Sequence, residues 1–238
     1  MLLALTWAAG SVDAISYFGL GHVFTAMMTG NTVLLGLALA QGEVLAALRS
    51  ILALIGFSIG VFFGASIVER ESEPPDWPAA VTAALAFETI IVGIFAAISL
   101  AAGATREPAV TYLLILLLAV AMGVQSAAVR RLGVPGIATT YITGTLTSLM
   151  VDLLGWLRSM ITPIVVERGS VEPGSSVPWE QRVELLAAVV GLYCFGAFVG
   201  GILEVRASRF VSLLPFLALL LVVINAVVRQ RHHSPQRF

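Results

Sequence analysis

Charge is what this 238-residue sequence has least of. Asp, Glu and Arg together make up 11% of the chain, and lysine is absent: all thirteen basic residues other than histidine are arginine. Nothing in the physical chemistry of the chain explains that last preference. With hydrophobic residues at 58% and a mean hydropathy of +0.97, too little polar surface remains to cover a water-soluble core. A net charge of −1 speaks against nucleic acid as a partner. A single cysteine, Cys194, excludes an intrachain disulfide. The chain also has no His-Glu-x-x-His run, no Gly-x-Ser-x-Gly elbow and no Gly-x-x-x-x-Gly-Lys loop, so it reads as no enzyme. His232 and His233 stand in a polar tail without a carboxylate or thiol cluster, so neither a metal nor a cofactor is expected.

What is there is a series of apolar runs of bilayer-spanning length, roughly 17–25 residues. They predict an all-α polytopic membrane protein with about eight helical segments: 2–19, 23–41, 51–68, 79–101, 109–128, 136–156, 183–203 and 210–228. Met1 to Leu5 lacks a basic leader, so residues 2–19 read as a first helix rather than a secretory signal. Two segments carry a polar knot. Met28-Thr29-Gly30-Asn31-Thr32 interrupts the second, and Ile142-Thr143-Gly144-Thr145 begins 114 positions later in the sixth. Each knot follows a glycine-bearing helix, Ala9-Gly10-Ser11-Val12-Asp13-Ala14 in one case and Met122-Gly123-Val124-Gln125-Ser126-Ala127 in the other. Each precedes a glycine ladder, Gly56, Gly60 and Gly64 first, then Gly191, Gly196 and Gly200. The repeated order predicts two tandem homologous repeats, 1–103 and 104–228, followed by a basic tail, 229–238.

Six of the segments read as full spans; the two knot segments either cross as discontinuous helices or dip in and return. If they return, the two halves are inverted, and with the tail inside nine of the thirteen arginines lie on the inner side. Segment length favours crossing. Trp77, Trp156 and Trp179 fall near predicted helix ends, as an interfacial belt requires.

Ala9 to Ala14, Phe24, and Met28 to Thr32 with Leu35-Gly36 resemble the signature of the YoaK-like family of bacterial integral membrane proteins, a family of unknown function. The resemblance extends over essentially the whole chain in length and hydropathy. It implies a multipass protein of the bacterial inner (plasma) membrane, loosely proposed to be a transporter, and it brings no substrate or catalytic residue with it.

Two carboxylates fall inside apolar helices. An ionised carboxylate in hydrocarbon costs several kcal/mol unless it is paired or hydrated, so Asp13 and Glu88 need a reason. Either they bind a proton or cation in a polar cavity, or each is a hydrogen-bonded strut between helices. Asp152, near a helix end, is expected to pair with Arg158. In the knots, Gly permits a local break while Thr and Asn offer uncharged donors and acceptors, the usual build of a midplane site between repeats. The competing reading is a close helix crossing.

The leading expectation is therefore a small-solute secondary transporter. Thr29, Gly30, Asn31, Gln125, Thr143 and Gly144 would hold the solute, and Asp13 and Glu88 would couple a proton or cation. The alternatives are a channel for a neutral solute or ion, and a non-transporting scaffold or sensor subunit. The partners expected are the lipid bilayer and an unnamed small solute, and the glycine ladders would allow pairing within one chain or in a homodimer.

Overall fold

The computed structural model describes residues 1–69, 77–103, 107–132, 142–161 and 179–233. The acidic loop after Glu69, most of the 157–182 linker and the end of the basic tail lie outside the described residues. Among the described residues eight helices follow in order: α1 (Leu2–Gly19), α2 (Met28–Gln41), α3 (Val44–Val68), α4 (Ala79–Ala102), α5 (Pro108–Arg131), α6 (Ile142–Ile161), α7 (Trp179–Val211) and α8 (Leu213–His233). No strand occurs among the described residues.

Helix ends sit where local chemistry puts them. Gly42 takes φ 73°, a left-handed cap whose N–H reaches Ala38 O and Leu39 O and so closes α2. Pro78 is extended before α4, and Pro108 opens α5 at a position where its missing N–H costs nothing. The seventh segment runs further than its Glu204 and Arg206 suggest. It continues to Val211 through a break at Ala207, where φ −146° and ψ 42° leave the helical region.

α3, α4, α5, α7 and α8 are long and apolar enough to cross a membrane. α1 and α6 are of similar length, 18 and 20 residues, and the middle of α1 is buried almost all round. α2 is different. Its 14 residues give about 21 Å of helix, short of a hydrocarbon core of about 30 Å.

Contacts fix the directions. α1 and α7 run parallel, Gly196 against Trp7, Gly200 against Ser11 and Gly19 against Glu204. α3 and α5 also run parallel, with Gly56 on Leu116 and Ala119, and Gly64 on Val124 and Ala127. α1 and α5 oppose each other: the end of α1 shares a cavity with the start of α5, while Leu5 accepts a hydrogen bond from Gln125 near the other end. α4 and α8 are antiparallel, Thr82 pairing with Gln230 and Gly93 lying on Phe216. Thus α1, α4 and α7 point one way and α3, α5 and α8 the other.

The tightest crossings are made by glycine. A Cβ on Gly60 would strike the backbone carbonyl of Val120, and one on Gly123 would strike that of Phe57. Gly10 meets Tyr193, and Gly196 meets Trp7, in the same backbone-to-backbone way. Small residues let packing alone hold helices together in a solvent as apolar as their side chains. This corrects one expectation. The two ladders do not pair with each other; Gly56, Gly60 and Gly64 seat α5, whereas Gly196 and Gly200 seat α1, and Gly191 faces open space. Apart from Gly191, the ladders are consumed inside the chain and give no argument for a homodimer.

Candidate functional site

The most polar point of the described core is built around Asp13. After α1 ends at Gly19, the chain turns through Gly21 and His22, both at positive φ (89° and 61°), and folds back along α1. Residues 25–27 thereby come level with Asp13, six residues or about 9 Å below the end of α1. Asp13 Oδ1 accepts the N–H of Thr25 at 2.9 Å, Ala26 at 2.7 Å and Met27 at 3.3 Å. Its other oxygen accepts the hydroxyl of Tyr193 from α7. The carboxylate thus satisfies the free N–H groups ahead of α2 and sits against the positive end of that helix.

Asn31 completes the clamp from inside α2. Its Oδ1 accepts the Phe24 N–H at 3.0 Å and its Nδ2 donates to Phe24 O at 2.5 Å, so the side chain pairs with one residue's backbone in both directions. Tyr17 stacks on Phe24 with ring centres 5.2 Å apart, and His22 meets the same tyrosine edge-on. The returning loop is therefore held from three sides. α2 leaves this point with α1, ends at Gly42 and hands over to α3. There Arg49 donates to Gly21 O at 2.9 Å, on the face where α1 ends. The first knot is a segment that dips to the depth of Asp13 and comes back.

Against that geometry the expected solute contacts fall apart. Asn31 is spent on Phe24, and Gly30 is covered by Met27 and Phe24. Thr29 is exposed, as is Thr143. Among the described helices α2 packs on α3 alone and α6 on α7 alone, so the knots do not meet. Their separation has a physical cause. Each knot helix rides on the glycine-ladder helix that follows it, and the two ladder helices are drawn to opposite partners, α5 and α1. Thr143 offers its carbonyl to Thr147 at 2.9 Å, an ordinary back-bond, while Gly144 is half-buried in the first turn of α6. Gln125 is fully buried between α5 and α1, its amide 3.4 Å from Leu5 O. Asp152 also pairs elsewhere than expected, with Arg182 at 3.2 Å rather than Arg158.

Glu88 stands apart from all of these. It is the tenth of the 24 residues of α4, completely buried, and among the described residues neither carboxyl oxygen has a hydrogen-bond partner.

Two cavities flank Arg49 on the face where α1 ends. One, about 330 Å³, lies between the Gly19–Gly21 turn, Leu45 and Thr111 and Tyr112 of α5. The other, about 270 Å³, runs along α2 past His22, Gln41 and Glu43. No group of three or more His, Cys, Asp or Glu able to hold a metal occurs among the described residues.

Tyr193 is the site residue that sequence reasoning passed over. Its signal was present: a tyrosine in mid-helix carries a hydroxyl that must find a partner when buried. What the sequence could not say was that Gly10 and Gly196 bring α7 close enough for that partner to be Asp13.

Comparison with known proteins agrees with this membrane architecture. The chain is 37% identical over 228 residues to UPF0700 transmembrane protein YoaK of Bacillus subtilis (strain 168), covering 96% of this chain and 92% of that protein. No solved structure matches. The family model described as Protein of unknown function (DUF1275) matches residues 1–226. A multipass membrane protein on these grounds, the chain belongs to the DUF1275 family.

Proposed function

We propose that this protein is a small-solute secondary carrier of the bacterial inner membrane, built from two duplicated halves that rock against each other. The observation that carries this reading is the opposed course of the helices that correspond in sequence. α1 opposes α5, α3 opposes α7 and α4 opposes α8, while each ladder helix packs across onto the other half. Inverted halves with broken segments near mid-depth are the recurring plan of alternating-access carriers. With the basic tail inside, the arginine distribution follows the positive-inside rule.

In this reading Asp13 is an anchor for the returning loop, not an ion carrier, because its acceptors are already used. The cavities beside Arg49 are the entrance on the outer face, and rocking of α7 against α1 would be felt at the Tyr193 to Asp13 bond. The test is uptake into proteoliposomes under an imposed pH gradient, with amino acids, sugars, nucleosides and organic acids as the panel. At least one class should accumulate, and Arg49→Ala should reduce its uptake. No movement of any class by correctly inserted protein would overturn the carrier.

A second reading, a non-transporting scaffold, has one observation in its favour. The polar residues of the first knot are saturated by the fold itself, as a purely structural clamp would have them.

A further inference from the structure

Three places in the molecule stand out by their chemistry: the Arg49 cavities, the Tyr193 to Asp13 bond and the bare carboxyl of Glu88. The cavities name no ligand, since Arg49 is turned onto Gly21 O and Glu43 stands nearby with the opposite charge. The Asp13 bond belongs to the clamp already described. Glu88 remains.

Its surroundings restrict what it can bind. Leu85, Ala84, Ile91 and Val92 of its own helix are buried beside it, and α4 packs mainly against α5 and α8, with lesser contact to α3 and α7. The titratable groups on those elements are taken up elsewhere or stand at helix ends. On α5 they are Tyr112, Arg130 and Arg131; on α8, Arg229, Arg231 and the two terminal histidines. On α3 the residue is Arg49, bonded to Gly21; on α7, Arg182 is paired with Asp152 and Tyr193 with Asp13. The other charged groups of α7, Glu180, Glu184, Glu204, Arg206 and Arg209, stand in its first two turns or its last three, and Cys194, one residue from Tyr193, is exposed. None forms an ion pair with Glu88 among the described residues.

Two hydroxyls of its own helix are already used. Thr89 Oγ1 is turned onto Leu85 O at 2.7 Å, and Thr82 Oγ1 is shared by Trp77 at 3.0 Å and Gln230 at 2.9 Å. A hard metal cation needs about six oxygen ligands, and the Glu88 carboxyl brings two. A proton needs one.

We infer that Glu88 is a reversible proton-binding site at mid-membrane, between α4, α5 and α8, and that it supplies the coupling ion of the carrier. The second clause rests on the carrier reading; the first does not. An ionised carboxylate without a partner is costly at that depth. The acid is therefore carried neutral while the α4 contacts are closed, and it releases its proton when movement of the halves lets water in.

The experiment uses the full chain in proteoliposomes with dicyclohexylcarbodiimide, which adds across the O–H of a protonated carboxyl in an apolar site to leave a stable N-acylurea, with nothing expelled. Mass spectrometry reads modification of the Glu88 peptide across pH. Labelling should be strong at acid pH and fall about tenfold per pH unit above its midpoint. It should vanish in Glu88→Gln and be indifferent to sodium at fixed pH. Constant labelling at every pH would make Glu88 a permanently neutral strut and overturn the inference. So would no labelling at all, or protection by sodium.

In the uptake assay, Glu88→Gln should keep solute exchange and lose accumulation driven by the pH gradient. Undiminished accumulation in that variant would overturn the coupling role while leaving the carrier intact. If the wild type moves no solute yet labels with the expected pH profile, the proton site stands and the carrier falls.

Discussion

Asp13 and Glu88 are both carboxylates, both at mid-depth in apolar helices and both buried, yet the fold treats them oppositely. Asp13 receives three backbone N–H groups and a tyrosine hydroxyl; Glu88 receives nothing among the described residues. Burial is the same, so burial does not tell a structural carboxylate from one that works. The inventory of donors does. Where a loop returns into the membrane its unpaired N–H groups must be satisfied from within the protein, and a carboxylate is the acceptor that serves several at once. Where a helix is uninterrupted, as around Glu88, every N–H is already used and a carboxylate finds no donor in the backbone.

The largest expected effect comes from breaking the saturated partner. Asp13→Ala strands three N–H groups and a hydroxyl, and should cost about 3–5 kcal/mol, as for removing one side of a buried charged network. Thermal unfolding in detergent should show a large fall in Tm or no folded protein. An unchanged Tm would mean that the returning loop does not depend on the carboxylate. Tyr193→Phe removes one hydrogen bond to a charged group and should cost about 1.5–3 kcal/mol. Because Tyr193 joins α7 to the loop ahead of α2, this variant should also make residues 24–27 exchange backbone hydrogens faster; equal exchange would put the hydroxyl outside the clamp. Asn31→Ala, which loses both bonds to Phe24, should fall at about 1–3 kcal/mol by the same unfolding measurement.

Glu88→Leu sharpens the contrast from the other side. Exchanging an acid that has no partner for an apolar side chain of similar size should be neutral or stabilising, so its Tm should equal or exceed that of the wild type. A large loss would reveal a partner for Glu88 beyond the described residues. The smallest effects belong to Thr29→Ala and Thr143→Ala. Both residues are exposed, and each change should stay within about 0.5 kcal/mol. Loss of uptake in either, with Tm unchanged, would return the solute to the knots.

Much of the architecture was legible because it depends on local composition. Apolar runs of spanning length locate the described helices, with ends that differ by up to eight residues, and Pro78, Pro108 and Gly42 mark ends with recognisable chemistry. The glycines announced close crossings. Their partners did not follow, since a ladder shows that some backbone approaches and not which one. The apolar run predicts a start of α2 near 23, whereas the helix begins at Met28, because the N–H groups of residues 25–27 are turned onto Asp13 instead of into a helix. By its polarity Thr29 reads as a lining residue. At an exposed position a threonine needs no internal partner, so its presence in an apolar run carried less meaning than its repetition suggested.

By itself the sequence determined that this chain lives in a membrane, that it is helical throughout its long apolar runs, and that two carboxylates are buried there. These follow from solvent: hydrocarbon accepts only backbone that satisfies its own hydrogen bonds, and it exacts a cost for charge wherever the chain places it. Only the tertiary structure decided that α1 and α5, α3 and α7, and α4 and α8 run in opposite directions, that the glycines of α3 seat α5 while those of α7 seat α1, and that Asp13 is spoken for while Glu88, among the described residues, is not. Those depend on which surfaces fit at backbone distance, and fit between segments a hundred residues apart is a property of three-dimensional shape that no local stretch encodes.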